Sequence, residues 1–166
     1  MADEASSSPS SLPLPFFRKC VRAGRNVAVL SLASPYGPMH AIRAVTDIAN
    51  WPFAEDVPAP SRRAVVRAQE VILGVGPLLA GGPRKVLLAP SIRGGVVVTF
   101  ILHDGKDVTV ALLNNQVSVL VYGKSWTGKL QVEEMSHPEV LVRLRAIFRS
   151  DLDAASLQSA TADRLV

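Results

Sequence analysis

The sequence is poor in the residue types that build disulfides, metal sites and membrane spans. Its 166 residues include one cysteine, Cys20, and three histidines, so an internal disulfide is excluded and a zinc site is not expected. Aromatic residues make up 5% of the chain, so a core must consist mainly of Val, Leu, Ile and Ala. No apolar run approaches the roughly 20 residues that a transmembrane helix needs.

The two ends of the chain differ in composition from its centre. Met1 to Pro15 is rich in Ser and Pro, has few apolar side chains and lacks the basic and apolar regions of a secretory signal. We therefore expect residues 1–25 to be a disordered tail, residues 26–150 a single domain, and residues 151–166 a frayed helix or a disordered tail. With no signal and no membrane span, the sequence predicts a cytoplasmic protein that does not contact a membrane.

The net charge is +4, from 18 basic and 14 acidic residues. A mildly basic chain is compatible with nucleic-acid binding but does not indicate it. The basic residues are scattered, and their densest groups are most simply interpreted as solvated helix or loop faces. These groups are Arg18-Lys19, Arg62-Arg63-Arg67 and Arg143-Arg145-Arg149.

The stretch from Arg84 to Val132 has the pattern of an antiparallel β-meander. Apolar runs rich in Val and Leu alternate with compact turn signals, of which Asp104-Gly105 and Asn114-Asn115 are the clearest. A further strand is favoured at Asn26–Leu32, although residues 16–33 also fit a helix. The five strands predicted for the meander are Lys85–Ala89, Val96–Leu102, Val108–Leu113, Gln116–Tyr122 and Leu130–Val132.

Three helices flank this meander. One begins near Pro38 and ends near Asn50, because the residue before Pro52 is pushed out of the α region. A second begins after the N-cap Ser61 and ends near Gly74, where glycines and prolines follow. The third begins at Ser136, which forms a capping box with Glu139. The predicted class is α+β: an antiparallel meander of four or five strands packed against two or three helices.

The sequence contains no recognisable catalytic, metal-binding or cofactor-binding motif, so we expect no cofactor. Gly74-Val75-Gly76 follows a helix rather than a strand, which is the wrong order for a dinucleotide site. Gly123 to Lys129 has the spacing of a phosphate loop, but Leu130 stands where a hydroxyl is required. An enzyme of unrecognised type is therefore less favoured than a protein-binding module or a nucleic-acid-binding module.

Trp126 is the most informative candidate for binding. It lies between Lys124 and Lys129 in an expected loop, where it could stack on a base, anchor a protein partner or fold back over the sheet edge. Arg93 lies in another expected sheet loop. The sequence therefore nominates Trp126, Lys124, Lys129 and Arg93 as partner-binding residues.

The order of short motifs resembles a family of small bacterial proteins of unknown function, over about Asn50 to Leu130. Members of that family carry Asn-Trp-Asp-Gly, an Ala-Pro-x-Pro-Ser helix start, a Pro-x-x-x-Gly-Gly turn and a Tyr-containing final strand. Some are encoded beside toxin–antitoxin or defence genes. Here Pro52-Phe53 replaces Asp-Gly, and Thr99-Phe100 replaces a polar position. The matching residues are Asn50-Trp51, Ala59-Pro60-Ser61, Pro83-Arg84-Lys85-Val86, Ala89-Pro90-Ser91, Gly94-Gly95-Val96-Val97 and Val121-Tyr122.

The strands carry Val on both faces, as in Val96-Val97-Val98, so a half-solvated sheet is not expected. Either helices cover both faces or a second molecule covers one of them. The sequence therefore favours a non-enzymatic protein-binding module, an accessory subunit or antitoxin-like partner that uses its sheet face or edge, or that self-associates. The alternative is a nucleic-acid-binding module that uses basic sheet loops and a stacking tryptophan.

Overall fold

The structure is a computed structural model that describes residues 28–31, 37–50, 57–79, 83, 85–124 and 129–162. Three α-helices and one sheet are present in this part of the chain. The helices are α1 (Gly37–Asp47), α2 (Arg62–Leu79) and α3 (His137–Ala162), and a 3₁₀ turn, Ile48–Asn50, follows α1. The strands are β1 (Ala28–Ser31), β2 (Lys85–Pro90), β3 (Gly95–Ile101), β4 (Asp107–Leu113), β5 (Ser118–Lys124) and β6 (Lys129–Met135).

The sheet is an antiparallel meander, which confirms the predicted α+β class. All six described strands form one sheet in the order β1-β2-β3-β4-β5-β6, so each strand pairs with its neighbours in sequence. The five strands predicted for the meander are β2 to β6. The sixth, β1, pairs with β2 in the register Ala28↔Leu88 and lies within the segment predicted as Asn26–Leu32.

Three successive hairpins have loops of the same geometry. In each, three residues separate a closing pair of backbone groups, and the third has a positive φ: Gly94 (79°), Gly105 (76°) and Gln116 (72°). This is the three-residue hairpin, in which a left-handed residue follows a type I turn. The closing N–H groups of Ser91, Leu102 and Leu113 donate to the carbonyls of Gly95, Lys106 and Val117.

One face of the sheet packs against the helices. Strand residues such as Val98 and Phe100 share a buried cluster with Val45 of α1, Ile72 of α2 and Leu144 of α3. The ring of Phe100 meets that of Phe148 edge to face, with centroids 5.0 Å apart. Since alternate residues of a strand point to opposite faces, this cluster takes alternate residues of the central strands, such as Val108, Val110 and Leu112 of β4. The arrangement supplies the cover that the apolar meander was expected to need.

The other face of the sheet holds a second apolar cluster of smaller side chains. Its five buried members are between 4% and 7% exposed, and no helix side chain that the structure describes belongs to it. The residues alternate with those of the first cluster, as in Val97 beside Val98. The buried members are Val97, Ala111, Leu113, Val119 and Val121, and the half-buried residues packed against them are Val117, Leu130 and Val132.

Helix α2 extends beyond its predicted end. It continues through Gly74, Gly76 and Pro77 to Leu79, so the prediction that these residues break the helix was wrong. Packing explains the extension, since Val75 is fully buried and Arg145 of α3 donates from Nε to the Gly74 carbonyl at 2.9 Å. A Cβ at Gly74 would lie 2.9 Å from a methyl group of Leu141, so glycine lets the two helices approach.

Helix α3 begins at the predicted capping box, although the Ser136 hydroxyl was expected to accept a backbone N–H and instead donates to Glu139. Both the backbone N–H and the hydroxyl of Ser136 donate to the Glu139 carboxylate, at 2.8 and 2.6 Å. These hydrogen bonds hold the pKa of Glu139 below its usual range. The helix continues past Ser150 to Ala162, which includes most of the predicted C-terminal tail. The predicted N-terminal tail, residues 1–25, lies outside the described residues.

Candidate functional site

The four residues nominated from the sequence do not form one group. Lys124 and Lys129 are cross-strand partners at the β5–β6 hairpin, whereas Arg93 is exposed in the β2–β3 loop. In a meander these two loops lie at opposite ends of the sheet, and β3 and β4 each have seven residues, about 20 Å at the usual rise of a strand. Trp126, the fourth nominated residue, lies outside the described residues.

The end of the sheet that holds Lys124 also carries Lys106. The Lys106 ammonium lies 2.5 Å from the Asp104 carboxylate and 5.7 Å from the centre of the Tyr122 ring. The hydrogen bond to Asp104 raises the pKa of Lys106 above its ordinary value. This lysine is therefore engaged within its own loop, and the charge at this end is partly neutralised.

The opposite end of the sheet contains a groove that the sequence did not predict as a site. It lies between the first turns of α2 and the β4–β5 loop and encloses about 480 Å³. Three guanidinium groups and one carboxylate line it, so its charge is predominantly positive. We call it the arginine groove; its lining residues are Arg62, Arg63, Val66, Arg67, Glu70 and Gln116.

Arg67 connects this groove to the sheet. One terminal nitrogen donates to the Gln116 carbonyl at 2.8 Å and to the Ser118 hydroxyl at 3.2 Å, and the other donates to the Leu113 carbonyl. Burial lowers the pKa of Arg67 from its ordinary value, and the charge of Glu70 partly opposes this shift. Its Nε is buried and has no hydrogen-bond partner. The side chain is thus fixed by the hairpin while part of it lines the groove.

A second tie joins the same hairpin to the start of α2. The Asn114 side chain accepts from the Ser61 N–H at 2.7 Å and donates to the Ala59 carbonyl at 2.9 Å. Ser61 acts as the predicted N-cap, because its hydroxyl accepts from the Ala64 N–H at 3.2 Å. These contacts fix the loop that carries Gln116 against the helix that carries the arginines.

The single carboxylate of the groove faces α3. Glu70 Oε2 lies 2.8 Å from Nε2 of His137, the first residue of that helix. The contact is close but does not have hydrogen-bond geometry, and both ring nitrogens of His137 are buried without a hydrogen-bond partner. Glu70 thus contacts the start of α3, and among the described residues it forms no ion pair with Arg62 or Arg63, which lie on its own helix.

The described part of the chain contains no group of three or more His, Cys, Asp or Glu side chains placed to hold a metal ion. None of its helices is long and apolar enough to span a membrane. Comparisons of the chain with protein-family models, curated proteins and solved structures find no match.

The arginine groove was visible in the sequence only as a local cluster of charge. Arg62, Arg63 and Arg67 were interpreted as a solvated helix face, and this description fits the exposed Arg62 and Arg63. It does not fit Arg67, whose partners are 46 to 51 residues away in sequence. The absence of an acidic residue from the first turn of α2 was the one local signal of an unusual helix start.

Proposed function

We propose that this chain is a protein-binding module whose partner docks at the β6 side of the sheet. The observation that carries the proposal is the second apolar face, which contains no helix side chain among those that the structure describes. That face reaches the outermost strand through Leu130 and Val132, which are half-buried. A protein partner, or a second copy of the chain, could continue the apolar cluster beyond these two residues.

The outer edge of β6, beside Leu130 and Val132, is a second feature that favours docking on this side of the sheet. Among the described strands, β6 pairs only with β5, so the outer edge of β6 offers backbone donors and acceptors along seven residues. An exposed edge can accept an extended segment of another protein as an added strand. Glu133 and Glu134 lie on β6, and charged residues on an edge strand limit indiscriminate pairing between edges.

The type of partner follows from the family resemblance and not from the geometry. The resemblance to small bacterial proteins encoded beside toxin–antitoxin or defence genes makes an accessory subunit or an antitoxin-like role our working hypothesis. Such a role requires no catalytic group in this chain. A cytoplasmic location remains part of the same proposal.

Substitution of Val132 by Asp tests this surface. A carboxylate at the apolar rim should weaken partner binding or self-association by about tenfold or more, since it must be desolvated in the interface. Gln131→Asp is the matched control, because Gln131 is exposed on the same strand and its side chain points to the opposite face. Co-purification from the native host and light scattering measure the two kinds of association, and thermal unfolding checks the fold.

The proposal is contradicted if both variants keep the partner and the mass of the unmodified protein. It is also contradicted if both lose them to the same extent, because the edge strand would then be sensitive to charge at any position. Loss in Val132→Asp alone, with little change in melting temperature, supports the β6 side as the docking surface.

Nucleic-acid binding is the second candidate. The cross-strand pairing of Lys124 with Lys129 favours it, since both lie at one hairpin. Binding of a labelled single-stranded oligonucleotide should then fall steeply between low and moderate salt, and Lys124→Gln should reduce the salt slope by about one charge. Weak binding with no dependence on Lys124 excludes this alternative.

A further inference from the structure

We infer that the arginine groove binds an acidic segment of a polypeptide that also carries apolar side chains. The inference concerns a surface formed by α2 and the β4–β5 loop, and it does not depend on the β6 side of the sheet. It rests on an unbalanced set of charges, on a fixed wall formed by the hairpin and on exposed apolar residues along the same helix.

Two charges of the groove lack partners within the described residues. The side chains of Arg62 and Arg63 form no hydrogen bond or ion pair with any residue that the structure describes. Arg67 has its terminal nitrogens on the hairpin, and Glu70 contacts His137. Two exposed guanidinium groups therefore remain for a ligand, and guanidinium binds carboxylates well because it can donate two parallel hydrogen bonds.

The position of these arginines is unfavourable for the helix itself. Arg62 and Arg63 occupy the first turn of α2, where the helix dipole disfavours positive charge, and that turn contains no acidic residue. Arg63 and Arg67 are also like charges four residues apart, a spacing that destabilises a helix. Positive charges at an unfavourable helix position, with no acidic residue in that turn to offset them, are typical of a functional surface. A bound anion would offset the unfavourable charge.

The wall opposite the helix is preorganised. Gln116 lines the groove, and its backbone is held in the left-handed region with its carbonyl bonded to Arg67 at 2.8 Å. Asn114 binds the same loop to the start of α2. A ligand would meet a surface that is already fixed, so little ordering of this wall opposes binding.

The apolar residues along α2 favour a polypeptide over other anions. Val66 lines the groove and is 41% exposed, and Leu73, seven residues further along, is 58% exposed. Residues seven apart lie on the same face of a helix, about 10 Å apart along its axis. The groove lining contains no aromatic ring on which a base could stack. Cations beside an apolar strip match a peptide that alternates acidic and apolar side chains.

Fluorescence anisotropy with a synthetic peptide tests this inference on the full chain. The probe is a labelled peptide of alternating Glu and Leu, and its matched partner carries Gln in place of every Glu. We expect Arg63→Glu to weaken binding of the Glu peptide by about tenfold, while Arg149→Glu, the same charge change at an exposed position on α3, has a much smaller effect. Val66→Ser should weaken the same complex without altering the fold.

Thermal unfolding of each variant separates binding from folding. Arg63→Glu should leave the melting temperature unchanged or raise it, because an acidic residue in the first turn suits the helix dipole. Loss of peptide binding in a variant of equal or greater stability supports the inference. Equal weakening by Arg63→Glu and Arg149→Glu overturns it, as does equal affinity for the Glu and Gln peptides.

Two competitors decide which anion the groove prefers. Inorganic phosphate and an unlabelled single-stranded oligonucleotide are added to the peptide complex at matched ionic strength. We expect neither to displace the peptide efficiently, because neither can contact Val66 and Leu73 with an apolar side chain. Displacement by the oligonucleotide at lower concentration than the unlabelled peptide overturns the inference in favour of nucleic acid. Efficient displacement by phosphate overturns it in favour of a small anion.

Discussion

Hairpin loops of the same geometry lie at both ends of the sheet, and at one end the described hydrogen bonds connect a loop to a helix. At the arginine end, Arg67 and Asn114 connect the β4–β5 loop to α2 through hydrogen bonds that cross about fifty residues of sequence. At the lysine end, the described polar contacts of the β3–β4 loop include the local pair of Asp104 and Lys106, two residues apart.

The β3–β4 and β4–β5 loops also differ in the residue at the left-handed position. The β3–β4 loop has Gly105 there, and glycine adopts a positive φ at no steric cost. The β4–β5 loop has Gln116 in the same conformation, which costs a residue with a side chain about 1 kcal/mol or more. The bond from Arg67 to the Gln116 carbonyl therefore helps to hold a conformation that the local sequence does not favour.

Among the substitutions that test this difference between the two ends, removal of Arg67 should change the free energy of unfolding most. Arg67→Ala withdraws a charged donor from the Leu113 and Gln116 carbonyls and from the Ser118 hydroxyl, which is fully buried. We expect the free energy of unfolding to fall by about 2 to 3 kcal/mol, since buried acceptors then lose their partner. Chemical denaturation measures the change.

Arg63→Ala provides the control for this prediction. It removes the same type of side chain from the same helix, but from an exposed position, so its effect should stay within about 0.5 kcal/mol. If the two variants are equally stable, the Arg67 contacts make no net contribution and desolvation of the guanidinium cancels them. The arginine end would then be no better secured than the lysine end.

The fold was largely predictable because its signals are local. The apolar runs between turn signals, the turn at Asp104-Gly105 and the capping box at Ser136 and Glu139 each act over a few residues. The end of α2 was misjudged because the packing of Gly74 against Leu141 joins residues far apart in sequence. Helix breakers lose their effect when tertiary contacts of this kind favour the helix.

The arginine groove was not predictable for the same reason. Asn114 was expected to serve the turn itself, but its side chain binds Ser61 and Ala59, more than fifty residues earlier. No local sequence signal distinguishes Gln116 from an ordinary strand residue. Gln116 was therefore predicted as the first residue of a strand. Only the assembled loop shows that Gln116 occupies the position of Gly105 in the neighbouring hairpin.

Exchange of the left-handed residues between the two loops should have an intermediate effect. Gln116→Gly removes the strain of the positive φ and should raise the free energy of unfolding by about 0.5 to 1 kcal/mol, after the greater flexibility of glycine in the unfolded chain is counted. Gly105→Gln introduces the same strain in the β3–β4 loop and should lower the free energy of unfolding by about 1 kcal/mol. Thermal unfolding of both variants gives the comparison directly.

The outcome for Gly105→Gln is decisive for the role of Arg67. If a glutamine at position 105 is tolerated without loss of stability, a positive φ needs no long-range support in this type of hairpin. The contacts of Arg67 would then be unnecessary for the conformation of Gln116. A loss at position 105 together with a gain at position 116 confirms that the second loop stores strain that the arginine end restrains.

The smallest effect is expected from the charge of Asp104. Burial raises its pKa, but hydrogen bonds from the Lys106 side chain and backbone, with the charges of Lys106 and Lys124, outweigh this and hold the pKa below its ordinary value. Because the pKa of Asp104 is lower in the folded state, its charge contributes fully to the free energy of unfolding above about pH 4, the unfolded value. This contribution is lost as the pH falls through the folded value. The pKa of Lys106 is raised in the folded state, so the stabilisation by this ion pair persists to above about pH 10 before it is lost.

Asp104→Asn tests this because asparagine keeps the acceptor for the Lys106 N–H, at 2.9 Å, and removes only the charge. We expect a loss of a few tenths of a kcal/mol at neutral pH, as for other solvent-screened pairs. The difference in melting temperature between the two proteins should shrink as the pH falls below about 4 and Asp104 is protonated in both states. A difference that persists undiminished in strong acid would show that the loop depends on the shape of the side chain. A loss as large as that of Arg67→Ala would instead mean that the lysine end is held as firmly as the arginine end, and the contrast between the two ends would fail.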